Sequence, residues 1–462
     1  MKQEVYKAQY NRMTQTSVGK LILTLAVPST VSMLITNVYN LADTYFVSSL
    51  GVFESAATGI VFSLMAIIQA IGFMFGTGAG SIISRLLGAG DVDKAKIYSA
   101  TTFYTGIAAG AVFSVVSYFF MDDLMFALGS TRLILPYAKS YAYYILAAVP
   151  AMVASFILNN ILRYEGKAFY GMIGLGSGAL LNILGDYLLV RHTGMGIAGA
   201  GLATCVSQYV SLSILVSAFV RRKSQVSIHY RFVSRDPKVI GKTLYTGLPS
   251  LVRQGLFGVS ASALNHAAKL CGGEMAIAAM SISSRVTNFL FSASIGIGHG
   301  FQPVCGFNYG AKKYDRVKQG MLFLLAFLAG LLLILGLLGY FNAARIISAF
   351  RDDSAILELG CRALKLQCLV LPLVSASITA NMTYQSVGFS VRAAVLASFR
   401  SGLIFIPVVI TASLLFGQDG LIASQPFADI IGTVLSIPFI VAMFRHLNRL
   451  EKEMLDYSPD IM

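Results

Sequence analysis

The chain has 462 residues, of which 56% are apolar and only 12% charged, with a mean hydropathy of +0.71. A soluble globule carries about a quarter charged residues, so this composition excludes one and calls for a polytopic α-helical membrane protein. The net charge of +14 is spread between long apolar runs rather than over a polar basic face, so no nucleic-acid partner is expected.

The first twenty residues are polar and mixed in charge. The apolar run after them is too long for a signal-peptide core, so no removal is expected. Twelve spans follow, near 18–49, 55–81, 97–120, 133–160, 169–190 and 197–220, then 244–270, 275–304, 320–341, 356–384, 393–415 and 421–444. Between the sixth and seventh lies a basic stretch with Arg221, Arg222, Lys223, Arg231, Arg235, Lys238 and Lys242. Basic residues also mark the amino terminus, the connection with Arg85, Lys94 and Lys96, the pair Arg163/Lys167 and the cluster Lys312/Lys313/Arg316/Lys318. These alternate with nearly uncharged connections, which places them and both termini in the cytoplasm. The expected organisation is a six-helix bundle over 1–220, a cytoplasmic linker over 221–243, a second bundle over 244–444 and a cytoplasmic tail over 445–462. The five cysteines are odd in number and scattered, without a C-x-x-C, and the five histidines are dispersed. Neither disulfides nor a metal cluster is expected.

The two halves repeat. Val27-Pro28-Ser29 recurs as Leu248-Pro249-Ser250, and Gly76-x-Gly78-x-Gly80 as Gly296-x-Gly298-x-Gly300. Each triplet is followed by a basic, glycine-punctuated turn, GAGDVDKAK or NYGAKKYDRVK. No strand precedes the glycines, so they read as close-packing positions rather than a dinucleotide fingerprint. Six spans per copy is an even number, so both copies enter the membrane from one side. The fold class is therefore all-α, with twelve transmembrane helices in two six-helix bundles related by a pseudo-two-fold axis along the membrane normal. A cleft between the bundles is the expected substrate path. Pro28 and Pro249 are expected to kink the first and seventh spans and are candidate hinges.

Polar residues inside the spans are the candidate machinery. In the first span Thr36, Tyr39, Asn40 and Asp43 share one helical face. A lone carboxylate there costs roughly 2.5–3.5 kcal/mol on insertion scales, so an ion or proton site competes with an acid reaching interfacial water. In the fifth span Asn182 and Asp186 share a face, and Thr204 in the sixth could add a hydroxyl. At the repeat offset of 221 residues Asp43 corresponds to Leu264, Asn182 to roughly Leu403 and Asp186 to roughly Pro407. Only the first copy keeps these polar groups, which argues for function. The competing reading of Asp186 is an acid at the helix end paired with Arg191. Two carboxylates facing one cavity could share a proton, and with Asn182 and Thr204 they would equally suit Na⁺. The second half carries Arg253, Gln254, Asn265, Arg285, Asn381, Arg400 and Asp429 in or near spans, with Asp429–Arg400 a candidate structural ion pair.

Several runs carry a resemblance: Pro28 with Asn40 and Asp43, SRLLGAGD at 84–91, NNILRYEG at 159–166, LNILGDYLL at 181–189 and QPVCGFNYGA at 302–311. Together, in a six-plus-six repeat, they resemble the multidrug and toxic compound extrusion (MATE) transporters over essentially the whole chain, in the prokaryotic branch with coupling acids in the first bundle. The resemblance implies an ion-driven antiporter working by alternating access, with no enzymatic activity and no cofactor beyond coupling H⁺ or Na⁺. It implies export of cationic or amphipathic small molecules from the plasma (inner) membrane, by a monomer. Coupling would map onto Asp43, Asn182, Asp186 and Thr204, with Asn40 and Tyr39 beside them. Asn159 and Asn160 form a second tier, and with Thr36, Gln69, Arg253, Gln254 and Asp429 they are the candidate substrate cavity. Other branches place coupling acids in the seventh and tenth spans. This chain has Arg253 and Gln254 in its seventh and no acid between Arg362 and Val391, against coupling of that kind.

Two rivals remain at this stage. A lipid-linked oligosaccharide flippase would need a cavity dominated by Lys and Arg, which the second-half arginines favour and the first-half acids oppose. A membrane-embedded transferase would need a nucleophile–base pair or an acid–histidine cluster near one membrane face, and the sequence offers none.

Overall fold

A computed structural model describes residues 2–350 and 353–456. Among these residues the regular elements are helices: α1 (Lys2–Gln15), α2 (Val18–Ser48), α3 (Val52–Gly88), α4 (Val92–Phe119), α5 (Met121–Ala127), α6 (Leu135–Tyr164), α7 (Ala168–Arg191) and α8 (Ile197–Val220), then α9 (Pro237–Gly310), α10 (Tyr314–Phe341), α11 (Ala343–Phe350), α12 (Ser354–Val370), α13 (Val374–Val387), α14 (Ser390–Ser398) and α15 (Phe405–Asp456). Among the described residues nine helical segments outside α9 are long and apolar enough to cross a membrane, and α9 is long enough to supply two more spans. Two helices join a pair of spans each. α9 breaks at Gly272 and Gly273, the latter at φ 63°, and α15 breaks at Gly417, at φ 58°. Glycine adopts that left-handed conformation without the clash a side chain would bring, so a helix can end and restart there. With α12 and α13 forming one span across the turn at Leu371–Leu373, the twelve-helix pattern read from the sequence results.

The start signals are local. The Asp91 carboxylate accepts the backbone N–H of Lys94 at 3.1 Å to open α4, and that of Asp353 accepts Ala355 and Ile356 to open α12. Gly388 at φ 102° closes α13. The polar amino-terminal stretch is itself helical, as α1.

Two compact units divide the chain. The first comprises residues 2–6 and 27–254, the second 7–26 and 255–456. Their borders fall beside Pro28 in α2 and five residues after Pro249 in α9, within helices rather than in the basic linker. The glycine triplets explain part of this membership. Within the first unit, a Cβ on Gly78 would lie 2.1 Å from the Thr243 carbonyl oxygen, and one on Gly247 would lie 1.8 Å from that of Met74. Backbones of α3 and the start of α9 therefore touch directly. Within the second unit a Cβ on Gly300 would lie 2.5 Å from the Ala26 Cα, which joins the later half of α9 to the start of α2. Small residues allow this approach where hydrocarbon offers no hydrophobic force between helices.

The linker is anchored in the first unit. Glu165, at the end of α6, is fully buried. Its carboxylate accepts the Ser224 hydroxyl at 2.8 and 2.9 Å and the Val226 N–H at 3.0 Å. Lys167 donates to the Lys223 carbonyl oxygen. Burial pushes the Glu165 carboxyl above the usual carboxylate range, against the opposing pull of Lys167 and these hydrogen bonds. Docking of the linker then takes up a proton preferentially: it is strongest below the ordinary carboxylate pKa and weakens as pH rises through the raised one. Glu165→Ala should make tryptic cleavage after the exposed Arg221, Arg222 and Lys223 several-fold faster. Wild-type protection relative to that variant should decline with rising pH, and equal cleavage rates at every pH would contradict the anchor.

Candidate functional site

The first unit buries the sequence-predicted acids together. Asp43 sits on the second half of α2 and is 7% exposed, and Asp186, about one and a half turns from the end of α7, is 0% exposed. Tyr39, one turn before Asp43, is also buried. The two carboxylates and the hydroxyls of Tyr39 and Tyr141 lie close enough to interact electrostatically. Tyr141 of α6 donates to Asp43 Oδ2 at 2.9 Å. Asn182 Nδ2 donates to Thr204 Oγ1 of α8 at 3.0 Å, and the Ser207 hydroxyl caps the Thr204 carbonyl at 2.8 Å.

What these bonds leave over is the informative part. Asp43 Oδ1, Asn182 Oδ1 and both oxygens of Asp186 are buried without a hydrogen-bond partner. Among the described residues no Lys or Arg pairs with either acid, and Asp186 makes no bridge to Arg191. A buried polar group left unsatisfied costs about 1–3 kcal/mol, and a charged one more. These four acceptor oxygens therefore lack the donors that their burial calls for. A proton would turn a carboxylate into a donor, whereas a hard cation would be met by carboxylate, amide and hydroxyl oxygens. The residues present fit either.

The helices bring this about through small residues. A Cβ on Gly178 would lie 2.8 Å from the Ser211 side chain, and one on Gly185 would lie 2.8 Å from that of Ala203. α7 thus lies tight against α8 and turns Asn182 and Asp186 inward.

The remaining predicted residues fall elsewhere. The side chain of Asn40 lies outside the described residues. Thr36 donates to the Ser32 carbonyl of its own helix at 2.9 Å. Gln69, Asn159, Arg253 and Gln254 are half-buried, with the Asn159 side chain against Gly171. Asn160 is buried, donates to the Phe156 carbonyl at 2.7 Å and accepts Arg163 Nη2 at 2.5 Å. In the second unit Asp429 accepts Arg400 at 2.6 Å and Gln425 at 3.0 Å, and Arg400 also stacks on Phe291. This is a satisfied ion pair, with both carboxylate oxygens engaged. Pro28 and Pro249 lie within α2 and α9, next to the unit borders.

Tyr141 was not legible beforehand. It is one of four tyrosines in the run from Tyr137 to Tyr144, and nothing in the spacing marks the one that is 1% exposed.

Comparison with known proteins identifies the family. Two relatives are named multidrug export protein MepA. The one from Staphylococcus saprophyticus is 26% identical over 95% of this chain and 96% of its own length. The one from Staphylococcus aureus strain N315 is 27% identical over 93% and 94%. A solved structure, the outward-facing conformation of a multidrug resistance MATE family transporter of the MOP superfamily, superposes with a TM-score of 0.89 at 23% identity, over 96% of this chain and 98% of that one. The MatE family model matches twice, over residues 28–188 and 249–411, once in each copy of the internal repeat. The chain belongs to the MatE family.

Proposed function

We propose that this protein is a multidrug efflux antiporter, exporting cationic or amphipathic small molecules in exchange for H⁺ or Na⁺. The observation that carries the coupling is the cluster of unpaired buried oxygens on Asp43, Asn182 and Asp186. The relatives named as multidrug exporters support the substrate class. The protein works as a monomer in the plasma (inner) membrane, with both termini cytoplasmic, an orientation supported by the basic connections.

In this reading the ion binds at Asp43 and Asp186, with Asn182 and Thr204 completing its shell and Tyr39 and Asn40 beside it. Neutralising the acids changes what α2 can bury around Pro28. Antiport requires only that ion and drug favour opposite conformational states. Gln69, Asn159 and Gln254, half-buried and polar, are the residues left to meet substrate.

Asp43→Asn keeps the shape and removes the titrating charge. In liposomes carrying purified protein, ethidium efflux under an imposed pH or Na⁺ gradient should fall at least tenfold, to the protein-free background, with yield and helicity unchanged. Wild-type-like efflux in that variant would sink the assignment. Thr204→Val is close to isosteric but leaves Asn182 Nδ2 without its acceptor. It should destabilise the protein by about 1–3 kcal/mol, read as a lower thermal midpoint in detergent, and should weaken the dependence of efflux on the driving ion.

A further inference from the structure

A second charged cluster lies in the first unit, and it is positive. Arg163, in the last turn of α6, is 5% exposed. Its Nη2 donates to Asn160, its plane lies 5.2 Å from the Tyr164 ring centroid, and its Nε is buried without a partner. Arg253 of α9 is half-buried, and among the described residues it makes no hydrogen bond or ion pair. Arg253 follows Ser250 by one turn, and the Ser250 hydroxyl accepts that of Thr77 at 2.9 Å. Thr77 lies between the glycines that seat Asn160 and Tyr164, so the two guanidinium groups share one neighbourhood and repel each other. Glu165 does not neutralise them, since its carboxylate receives Ser224 and Val226.

This arrangement is built rather than incidental. A Cβ on Gly76 would lie 2.9 Å from the Asn160 amide nitrogen, and one on Gly80 would lie 2.3 Å from the Tyr164 ring. The first glycine triplet thus makes room for the two neutral residues that position Arg163. Nor can the acids compensate the arginines. Tyr141, which holds Asp43, lies about six turns before Arg163 on α6, a separation of roughly 33 Å at about 1.5 Å per residue.

Two like charges held together at low dielectric, with donors left over and no acid between them, require an anion. The guanidinium fork matches an oxyanion bidentately. We infer that Arg163 and Arg253, flanked by Asn160 and Tyr164, form a binding site for a phosphate group. That group comes either from an anionic lipid headgroup or from dissolved phosphate.

The test uses the full chain in maltoside detergent, followed by thermal unfolding. Sodium phosphate, against sodium chloride at matched ionic strength, and phosphatidylglycerol, against phosphatidylcholine, are the two arms. At least one should raise the wild-type midpoint by about 2–4 °C. A response to phosphate alone identifies a dissolved ligand, and one to phosphatidylglycerol alone a headgroup. Arg253→Gln should lose the rise and, without anion, unfold no earlier than wild type, because it removes a repulsion. Arg253→Lys keeps the charge but not the fork and should retain half the rise or less. No rise in the wild type, an equal rise in both variants, or an anion-free midpoint of Arg253→Gln well below wild type would overturn the site.

Discussion

A helix in hydrocarbon satisfies its own backbone, and water gives it no push toward its neighbours, so everything built between helices depends on how closely their backbones approach. In this chain that distance is set by glycine. At Gly78 and Gly247 the backbones of α3 and α9 are so near that a Cβ would fall inside the neighbouring carbonyl, and at Gly300 a Cβ would fall against the Ala26 Cα and backbone nitrogen of α2. On α7, Gly178 and Gly185 seat the helix against α8. Such contacts fix helix rotation as well as distance, and rotation decides whether a polar side chain faces lipid or protein. The burial of Asp186 at 0% exposure is thus a consequence of glycines one and eight residues before it.

Close packing of this kind also sharpens the electrostatics. Buried between α2, α6, α7 and α8, Asp43 and Asp186 have little access to solvent, and among the described residues the protein supplies only the Tyr141 hydroxyl to one of their four oxygens. Elsewhere the chain treats its buried acids differently. Asp429 receives Arg400 and Gln425, and Glu165 receives a hydroxyl and backbone N–H groups. Those two are structural because they are satisfied. By the same physical criterion the first-unit pair is unsatisfied, and that is what supports the ion site proposed for it.

Much of the fold could be read in advance because hydrophobic run length and the placement of Lys and Arg encode membrane topology directly. The repeat was legible as well, and the family match over 28–188 and 249–411 falls on it. Asp43, Asn182, Asp186 and Thr204 stood out because a polar residue in an apolar span is conspicuous. Tyr141 did not, since a tyrosine among tyrosines carries no such signal and only the rotation of α6 selects it. The unit borders at residues 26/27 and 254/255 were equally hidden. A continuous apolar run gives no sign that its first turns pack with one unit and its later turns with the other. Arg163 was placed with the cytoplasmic basic residues, and positive-inside counting cannot tell an exposed arginine from one 5% exposed beside a tyrosine ring.

That buried arginine points to how the first unit is organised. α6 is the most deeply buried of the spanning helices, and it carries a tyrosine that serves the acids near its start and an arginine at its end. The separation of roughly 33 Å along it is close to the hydrocarbon thickness of about 30 Å. Had acids and arginines been adjacent, they would have paired, as Arg400 and Asp429 do, and neither would need anything from outside. Held apart by the length of one helix, the two clusters cannot pair with each other, and in the proposals above the acids take a cation and the arginines an anion. The first unit thus forgoes the stability of internal ion pairs, and in the proposed reading that unsatisfied charge is what would tie its occupancy, and through occupancy its conformation, to ions.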